Sequence, residues 1–298
     1  MFSELLSEGG LSLDRLRSFC LVAEAGGVTK AAKGEASKQT LYSRQIKELE
    51  EFFGVELMRR SGRGMVLTSA GTRLNALARE CFASLLDFKS ECKGRPVEIV
   101  LGAGESIIAW VLLPHLAEVR ERLPKVRLKF LNLTTKDIVR GLGDGILDFG
   151  VVRRDAVSRP LQAAALGVMR YSLFVPEGLR RADGPKVLEA LPMAILSGEG
   201  SFRRQLAAIA ARHRLRLNIE IECASFPLVV RAVREAHVAG ILPSAAAVEL
   251  GQAGVEELNV AVLDSLKRET CLAWNPRMVK IRTGLRKAGE VFSDLFRM

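Results

Sequence analysis

Histidine, cysteine and aromatic side chains are all scarce in this chain, and each shortage removes a class of function. Three histidines (His115, His213, His237) and five cysteines (Cys20, Cys81, Cys92, Cys223, Cys271) are scattered through 298 residues with no CxxC pair among them. Neither a zinc site nor a disulfide framework fits that spacing, so no metal and no cofactor is expected, and the thiols are expected to be free and buried in a reducing cytosol. Aromatic residues make up 6% of the chain, and no basic amphipathic stretch carries the Trp-rich apolar face of a membrane-surface helix. No uninterrupted apolar run reaches membrane-spanning length, and the opening MFSELLSEGG lacks the basic and apolar segments of a secretion signal. A soluble, cytoplasmic protein without a membrane partner is the expectation. Catalytic signatures are missing too. There is no nucleophile elbow and no phosphate loop, while His115 and His213 fall in helical patterns and His237 near a helix end, so an enzyme is not expected.

Apolar core material and positive charge are plentiful. Hydrophobic residues are 48% of a chain longer than one typical domain, which sets an expectation of two or three units. A formal net charge of +10 favours an anionic partner, with nucleic acid ahead of membrane. Yet residues 1–95 hold 15 Lys+Arg against 12 Asp+Glu, so only 3 of the 10 surplus positive charges lie there. Charge alone does not locate a nucleic-acid site; residue pattern must do so.

From Leu13 the apolar positions Leu13, Leu16, Phe19, Cys20 and Ala23 recur at helical spacing as far as Gly26–Gly27. Thr29 is placed to cap a short second helix, Lys30–Lys33, with Gly34 as its left-handed stop. Ser37 reads as the cap of a third helix, Lys38 to about Phe53, whose apolar stripe is Leu41, Tyr42, Ile46, Leu49, Phe52 and Phe53. The opposite face offers Gln39, Thr40, Ser43 and Arg44 as candidate base-contacting residues, with Lys38 and Lys47 as candidate phosphate contacts. Arginine can bridge guanine O6 and N7, glutamine can pair with adenine, and hydroxyls or lysine can hold phosphates. The same face would serve equally as a solvated helix surface. The next segment favours nucleic acid, because a strand, a turn carrying Arg59, Arg60 and Arg63, and a second strand ending at Thr68 form a basic hairpin beside that helix.

These pieces together resemble the N-terminal signature of LysR-type transcriptional regulators. The resemblance is carried by Leu13, Leu16 and Phe19, the Ala31–Ala32 pair, Gln39, Ser43–Arg44–Gln45–Ile46, Leu49–Glu50, Gly54–Val55–Glu56–Leu57, Arg59–Arg60, Arg63 and Leu67–Thr68–Ser69–Ala70–Gly71. It implies a winged helix-turn-helix over residues 1–68, with Thr68 joining Lys38, Lys47, Arg59, Arg60 and Arg63 as phosphate contacts on double-stranded DNA. The match has departures. Glu35 falls where the family has a buried leucine, Ser37 where it has an aliphatic residue, Lys38 where serine is frequent, and Thr40 replaces a frequent proline. The turn Gly34–Lys38 is therefore where the structure is expected to depart from the family.

Ser69 to about Cys92 has no proline, and no glycine after Gly71, so residues 69–94 read as a long amphipathic helix ended by Lys93–Gly94–Arg95–Pro96. By the resemblance it is a linker helix pairing subunits, with Leu74, Leu77, Phe82 and Leu85 as the seam of a homodimer or homotetramer; packing within one chain is the alternative. Beyond it, Val97–Leu101, Ile107–Val119, Val126–Leu131, Lys136–Leu142 and Leu147–Val152 alternate as strand and helix, the mark of a mostly parallel α/β sheet. Gly102-x-Gly104 is part of a dinucleotide fingerprint, but Ile107 occupies the third glycine position. The alternation continues with strands at Tyr171–Val175, Met193–Leu196, Arg216–Cys223, Val238–Leu242, Val260–Leu263 and Thr270–Trp274. Helices are expected at Phe202–His213, Pro227–Glu235 and about Arg277–Phe296.

Two α/β lobes joined by crossovers would account for this length. LLPHLAEVRERLPKVRL, GILDFGVVR and GILPSAAA also resemble the LysR-type effector domain, which implies a two-lobed periplasmic-binding-protein-like α/β unit over 95–298. Lobe I would take about 95–161 and 269–298, and lobe II about 162–268. The resemblance places a small-molecule effector between the lobes, where free helix N–H groups suit a carboxylate or phosphate. Gly104, Ser106, Thr134, Thr135, Ser197, Gly198, Ser225 and Phe226 are the candidate effector residues, with ordinary capping and turn chemistry as the alternative. Arg203, Arg204, Arg212, Arg214 and Arg216 could bind an acidic effector, but read first as a solvated helix face. The function implied is a sequence-specific, effector-controlled transcriptional regulator. A nucleoid-type binder without an effector, and a ligand-binding protein or enzyme with an appended helical domain, are the alternatives.

Overall fold

The structure is a computed structural model, and it describes residues 9–62, 64–179, 186–251 and 253–298. Helix α1 (Leu13–Ala25) begins where Ser12 accepts a hydrogen bond from the Arg15 N–H at 3.2 Å and stops at Gly26, whose φ of +71° ends the helix. The second helix, α2 (Val28–Ala31), starts on Gly27, earlier than the sequence pattern indicates. Thr29 is therefore inside the helix rather than its cap. Lys33 and Gly34, both at positive φ, turn the chain into α3 (Ala36–Phe53). Glu35 stands at the N-cap position of that helix without a side-chain capping bond, and Ser37 lies in its first turn. Glu35 and Ser37 are both exposed, and the Glu35 carboxylate accepts from Lys38 Nζ at 2.8 Å, so neither polar side chain enters the core. Tyr42, Ile46 and Leu49 carry the buried side of α3, whereas Leu41 is exposed.

The wing is the antiparallel pair β1 (Met58–Ser61) and β2 (Gly64–Leu67). Glu50 of α3 holds it by accepting from the Leu57 and Met58 N–H groups at 2.8 and 3.1 Å. On its other strand Met65 N–H donates to Gly26 O at 3.0 Å. Then comes α4 (Ser69–Cys92), 24 residues long and so about 36 Å at 1.5 Å per residue. Its Ala78 completes a core with Phe19, Leu49 and Leu57.

The remaining strands form one path in the order β4 (Val126–Asn132), β3 (Val97–Ala103), β5 (Phe149–Arg153), β11 (Lys267–Trp274), β6 (Gln162–Pro176), β9 (Ala239–Pro243), β7 (Met193–Leu196) and β8 (Ile219–Cys223), with β10 (Val255–Leu258) on β6. In the first lobe β3 (Val97–Ala103) lies parallel to β4 (Val126–Asn132) and β5 (Phe149–Arg153). Between β3 and β4 the expected single helix is a chain of turns ending in α5 (Leu116–Arg122). Helix α6 (Thr135–Gly143) packs on Gly102 and Gly150, where a Cβ would run into Ile138. Gly102 thus makes room for a helix, which is the physical content of the incomplete glycine fingerprint. In the second lobe β7 (Met193–Leu196) is parallel to β8 (Ile219–Cys223) and β9 (Ala239–Pro243), flanked by α7 (Ser201–His213) and α8 (Phe226–Glu235).

Two strands join the lobes. β6 (Gln162–Pro176) begins nine residues before the strand expected at Tyr171; Gln162–Arg170 pair with β11 (Lys267–Trp274), and Tyr171–Phe174 pair with β9. The first lobe's sheet therefore runs on through Arg170, past the lobe change placed at 161/162 by sequence. The strand expected at Val260–Leu263 is instead a 3-10 turn at Ala261–Leu263, preceded by β10 (Val255–Leu258).

The last expected helix is two, α9 (Pro276–Ile281) and α10 (Thr283–Leu295), broken at Arg282. The break turns Arg282, 6% exposed, inward. Its Nε and Nη2 donate to the Asp87 carboxylate of α4 at 2.5 and 3.0 Å, Nη1 to Asp148, and Nη2 also to Glu98 O at 2.8 Å. Burial disfavours the guanidinium charge, but the Asp87 bonds and the Asp148 charge outweigh it, so Arg282 holds its proton above the ordinary value. The linker helix is thereby clamped to the first lobe.

Candidate functional site

Helix α3 and the wing border a groove of about 700 Å³. Gln39, Ser43 and Lys47 line it from α3 and Arg60 from β1, while Thr29 and Lys30 enter from the short helix α2. The three α3 positions are four residues apart, so each successive helical turn presents one of them. Arg44 points elsewhere, 3.6 Å from Glu48, which is itself held by Arg15 at 2.5 Å. Thr40 donates to Ala36 O at 3.2 Å, and Lys38 and Lys47 pair with Glu35 and Glu51 at 2.8 and 3.6 Å. All four are exposed, and ion pairs of this kind are weak enough to exchange for a phosphate. Arg59 is exposed on the wing, and Arg63 lies outside the described residues. Thr68 has an internal role. Its hydroxyl donates to Glu56 O at 2.7 Å and accepts from Gly71 N–H at 3.0 Å, capping α4 instead of reaching outward for phosphate. Lys30 is the groove cation that sequence reasoning did not pick.

Along α4 the four seam residues divide. Leu74 and Phe82 pack on the winged-helix core, while Leu77 and Leu85 are 51% and 46% exposed. The exposed row continues through Cys81, Leu86, Phe88 and Cys92. Two thiols therefore face solvent, contrary to the expectation that all are buried; only Cys20 and Cys271 are, and burial pushes both up to about 11.

Between the lobes lies a cavity of about 490 Å³. Thr134, Thr135 and Lys136 line it from the start of α6, Arg153 from the end of β5, Ser201 and Arg204 from the start of α7, and Arg268 from the joining strand β11. Thr134 caps α6, donating to Asp137 Oδ2 at 2.7 Å. Arg153 Nη1 reaches across the lobes to Ser201 Oγ at 3.4 Å and pairs with Asp155 at 3.1 Å. The lobes also meet where Trp110 Nε1 donates to Glu249 Oε2 at 3.0 Å. Of the eight candidate effector residues, only Thr134 and Thr135 line this cavity. Gly198 lines a separate groove beside α7, and Ser197 N–H is bonded to Cys223 O at 2.7 Å. Gly104 caps a short turn, Ser225 starts α8, and Phe226 is buried against Phe202 and Tyr171 with ring centroids 5.1 and 5.9 Å away. Arg204, read from sequence as part of a solvated face, is a cleft residue, whereas Arg203 pairs with Glu222 at 2.9 Å. The cationic lining comes from four separate segments, which no local pattern announces.

A winged helix-turn-helix, a long helix and a two-lobed α/β unit with a polar interlobe cavity define a ligand-responsive DNA-binding protein. Residues 13–72 match the bacterial regulatory helix-turn-helix protein family of LysR type, and residues 94–283 match the LysR substrate binding domain. The chain belongs to the LysR family of transcriptional regulators. It is 26% identical over 254 residues to a probable nitrogen assimilation transcriptional activator of Synechococcus elongatus, covering 80% of this chain and 81% of that one. To the HTH-type transcriptional regulator BbuR of Bordetella bronchiseptica it is 30% identical over 246 residues, covering 78% and 72%. Among solved structures it shares its fold with ArgP of Mycobacterium tuberculosis (TM-score 0.66, 18% identity, covering 96% of this chain and 99% of that one). Full-length LysG of Corynebacterium glutamicum with bound effector Arg has the same fold (TM-score 0.60, 18% identity, covering 94% and 99%). Among the described residues no helix is long and apolar enough to cross a membrane, and no cluster of His, Cys, Asp and Glu could hold a metal.

Proposed function

We propose that this regulator reads a DNA operator with α3 and grips its backbone with the wing, as a cytoplasmic homodimer or homotetramer that responds to a small molecule in the interlobe cavity and performs no chemistry of its own. The observation that carries the DNA reading is the groove in which Gln39, Ser43 and Lys47 stand on successive turns of α3 beside Arg60. Gln39, Thr40, Ser43 and Arg44 are assigned to base edges; Lys38, Lys47, Arg59, Arg60 and Arg63 are assigned to phosphates, and Lys30 joins them. The exposed row Leu77, Leu85 and Phe88 on α4 is the pairing surface, because a second copy of the same helix would cover it symmetrically.

The test is operator capture by the full-length protein from fragmented genomic DNA, followed by titration of operator and random duplexes at several salt concentrations. Replacing Lys47 or Arg60 by alanine should weaken binding to both duplexes and flatten the slope of log K against log salt by about one. Arg44→Ala and Gln39→Ala should lower operator affinity by about 1 to 3 kcal/mol and leave random DNA nearly unchanged. An Arg44→Ala protein with unaltered affinity for both would sink the base-reading assignment. A footprint independent of sequence would instead favour a nucleoid-type binder.

A further inference from the structure

The interlobe cavity is electrostatically one-sided. Its lining contains four cationic side chains, Lys136, Arg153, Arg204 and Arg268, and no carboxylate. Arg153 has Asp155 at 3.1 Å, but Lys136, Arg204 and Arg268 have no ion-pair partner among the described residues. Asp137, the acidic residue of the first turn of α6, is taken up by Arg140 at 2.8 Å and by Thr134. Two helices aim their N-termini at the same space, α6 with 9 residues and α7 with 13. Lys136 and Arg204 stand in the first turns of those helices, where the macrodipole disfavours a cation and favours an anion. The positive charges line the one cavity from both lobes and from the strand that joins them, so an anion placed there is attracted from every side. Val139 and Ala156 are the only apolar side chains among its lining residues, and no aromatic side chain lines the cavity. Beside it Tyr171, which stacks on Phe202 next to Ser201, buries its hydroxyl with no hydrogen-bond partner among the described residues. Burial pushes that hydroxyl above its ordinary value, and the Arg268 charge pulls against it.

Resting on the reading of this cavity as the effector site, we propose that its ligand is a compact, non-aromatic dianion, a dicarboxylate or a phosphate ester, held by Arg153 and Lys136 on one lobe and Arg204 on the other with Arg268 between. A single carboxylate leaves most of the convergent charge uncompensated. A cation such as arginine, the effector named for LysG, is repelled. An aromatic acid finds no ring to stack on. The 490 Å³ available is ample for a small metabolite of this kind. Neutralising both sides at once would let the lobes close on the ligand, and lobe closure about β6 and β11 is the movement the topology allows.

Calorimetric titration of the full-length protein with succinate, inorganic phosphate, 3-phosphoglycerate, benzoate and L-arginine tests this directly. At least one of the three multiply charged anions should bind at about 10 mM or below, with benzoate and arginine silent, and the succinate and phosphate arms separate the two sources of charge. Arg153→Ala and Arg204→Ala should each weaken that binding by about tenfold or more, while Arg212→Ala, on the far end of α7, should leave it unchanged. Binding of benzoate or arginine that is lost in Arg204→Ala would overturn the dianion and keep the cavity as the effector site. Dianion binding unaffected by both cleft variants would overturn the cavity reading itself. Silence of all five probes would also overturn the proposal.

Discussion

At the scale of single residues, α4 carries polar groups in places where burial costs stability. Glu80 is 4% exposed, and its Oε1 has no hydrogen-bond partner among the described residues. Burial pushes its carboxyl above the ordinary value of 4.5, and the Arg277 charge pulls against that without prevailing. A carboxyl raised on folding makes the folded state the better proton binder. Its ionisation therefore costs stability as pH climbs from about 4.5 through the raised value. Glu80→Gln should raise the urea midpoint at neutral pH by the equivalent of about 1 kcal/mol, and the gain should fade as pH drops towards 4.5. A gain that grew on acidification would contradict burial as the cause. Gly71 is a different case, since a Cβ there would meet the Leu57 carbonyl. Gly71→Ala is expected to cost about 1 to 3 kcal/mol by forcing the wing away from α4, read as a lowered unfolding midpoint.

Elements are held to one another chiefly through α4. On one side Arg79 pairs with Glu24 of α1 at 2.9 Å, and on the other Asp87 receives Arg282 from the first lobe. Asp87→Ala leaves Arg282 buried with Asp148 as its one carboxylate beside the Glu98 carbonyl, and removal of one partner from a buried pair typically costs about 3 to 5 kcal/mol. Hydrogen exchange should then show α4 and the segment around Arg282 losing protection together, while the wing keeps its own. The outer face of α4 has the opposite character, apolar and exposed. Leu85→Asp should reduce the assembly to monomers in sedimentation and weaken operator binding more than binding to a half-site, because two linked reading heads gain from effective concentration. An unchanged oligomer would move the pairing surface elsewhere.

For the whole molecule, the sheets of the two lobes are one path continued through β6, and the lobes touch at the Trp110–Glu249 and Arg153–Ser201 hydrogen bonds. Movement of one lobe must break or remake these contacts. Trp110 is buried at that junction, and the chain has one other tryptophan, Trp274. Ligand-driven closure should therefore change tryptophan emission in Trp274→Phe and not in Trp110→Phe. The reverse pattern would place the movement within the first lobe. The linker helix is clamped to lobe I by Arg282, so α4 ties the winged domain to lobe I.

Much of this was legible in the chain itself. Helical spacing from Leu13 to Phe53, the glycine stops at Gly26 and Gly54, and the strand-helix alternation after Pro96 are local, because each depends on side chains a few residues apart. Boundaries slipped where local signals competed. Helix α3 begins two residues before Lys38, with Glu35 at its N-cap position and no side-chain cap, and the helix expected over 277–296 broke at Arg282 because the guanidinium gains two carboxylates by leaving helical geometry. The reach of β6 was invisible, since Gln162–Arg170 become a strand only by pairing with β11, about a hundred residues away. The cleft shows the same division most sharply. Sequence alone determined the order of helices and strands, through periodicity and capping that act within single elements, and its motif series carried the resemblance that implies a DNA reader joined to two α/β lobes. The tertiary structure alone decided that Lys136, Arg153, Arg204 and Arg268 share one cavity, because only folding sets distances between charges drawn from four segments, and Coulomb interaction depends on those distances and not on order along the chain.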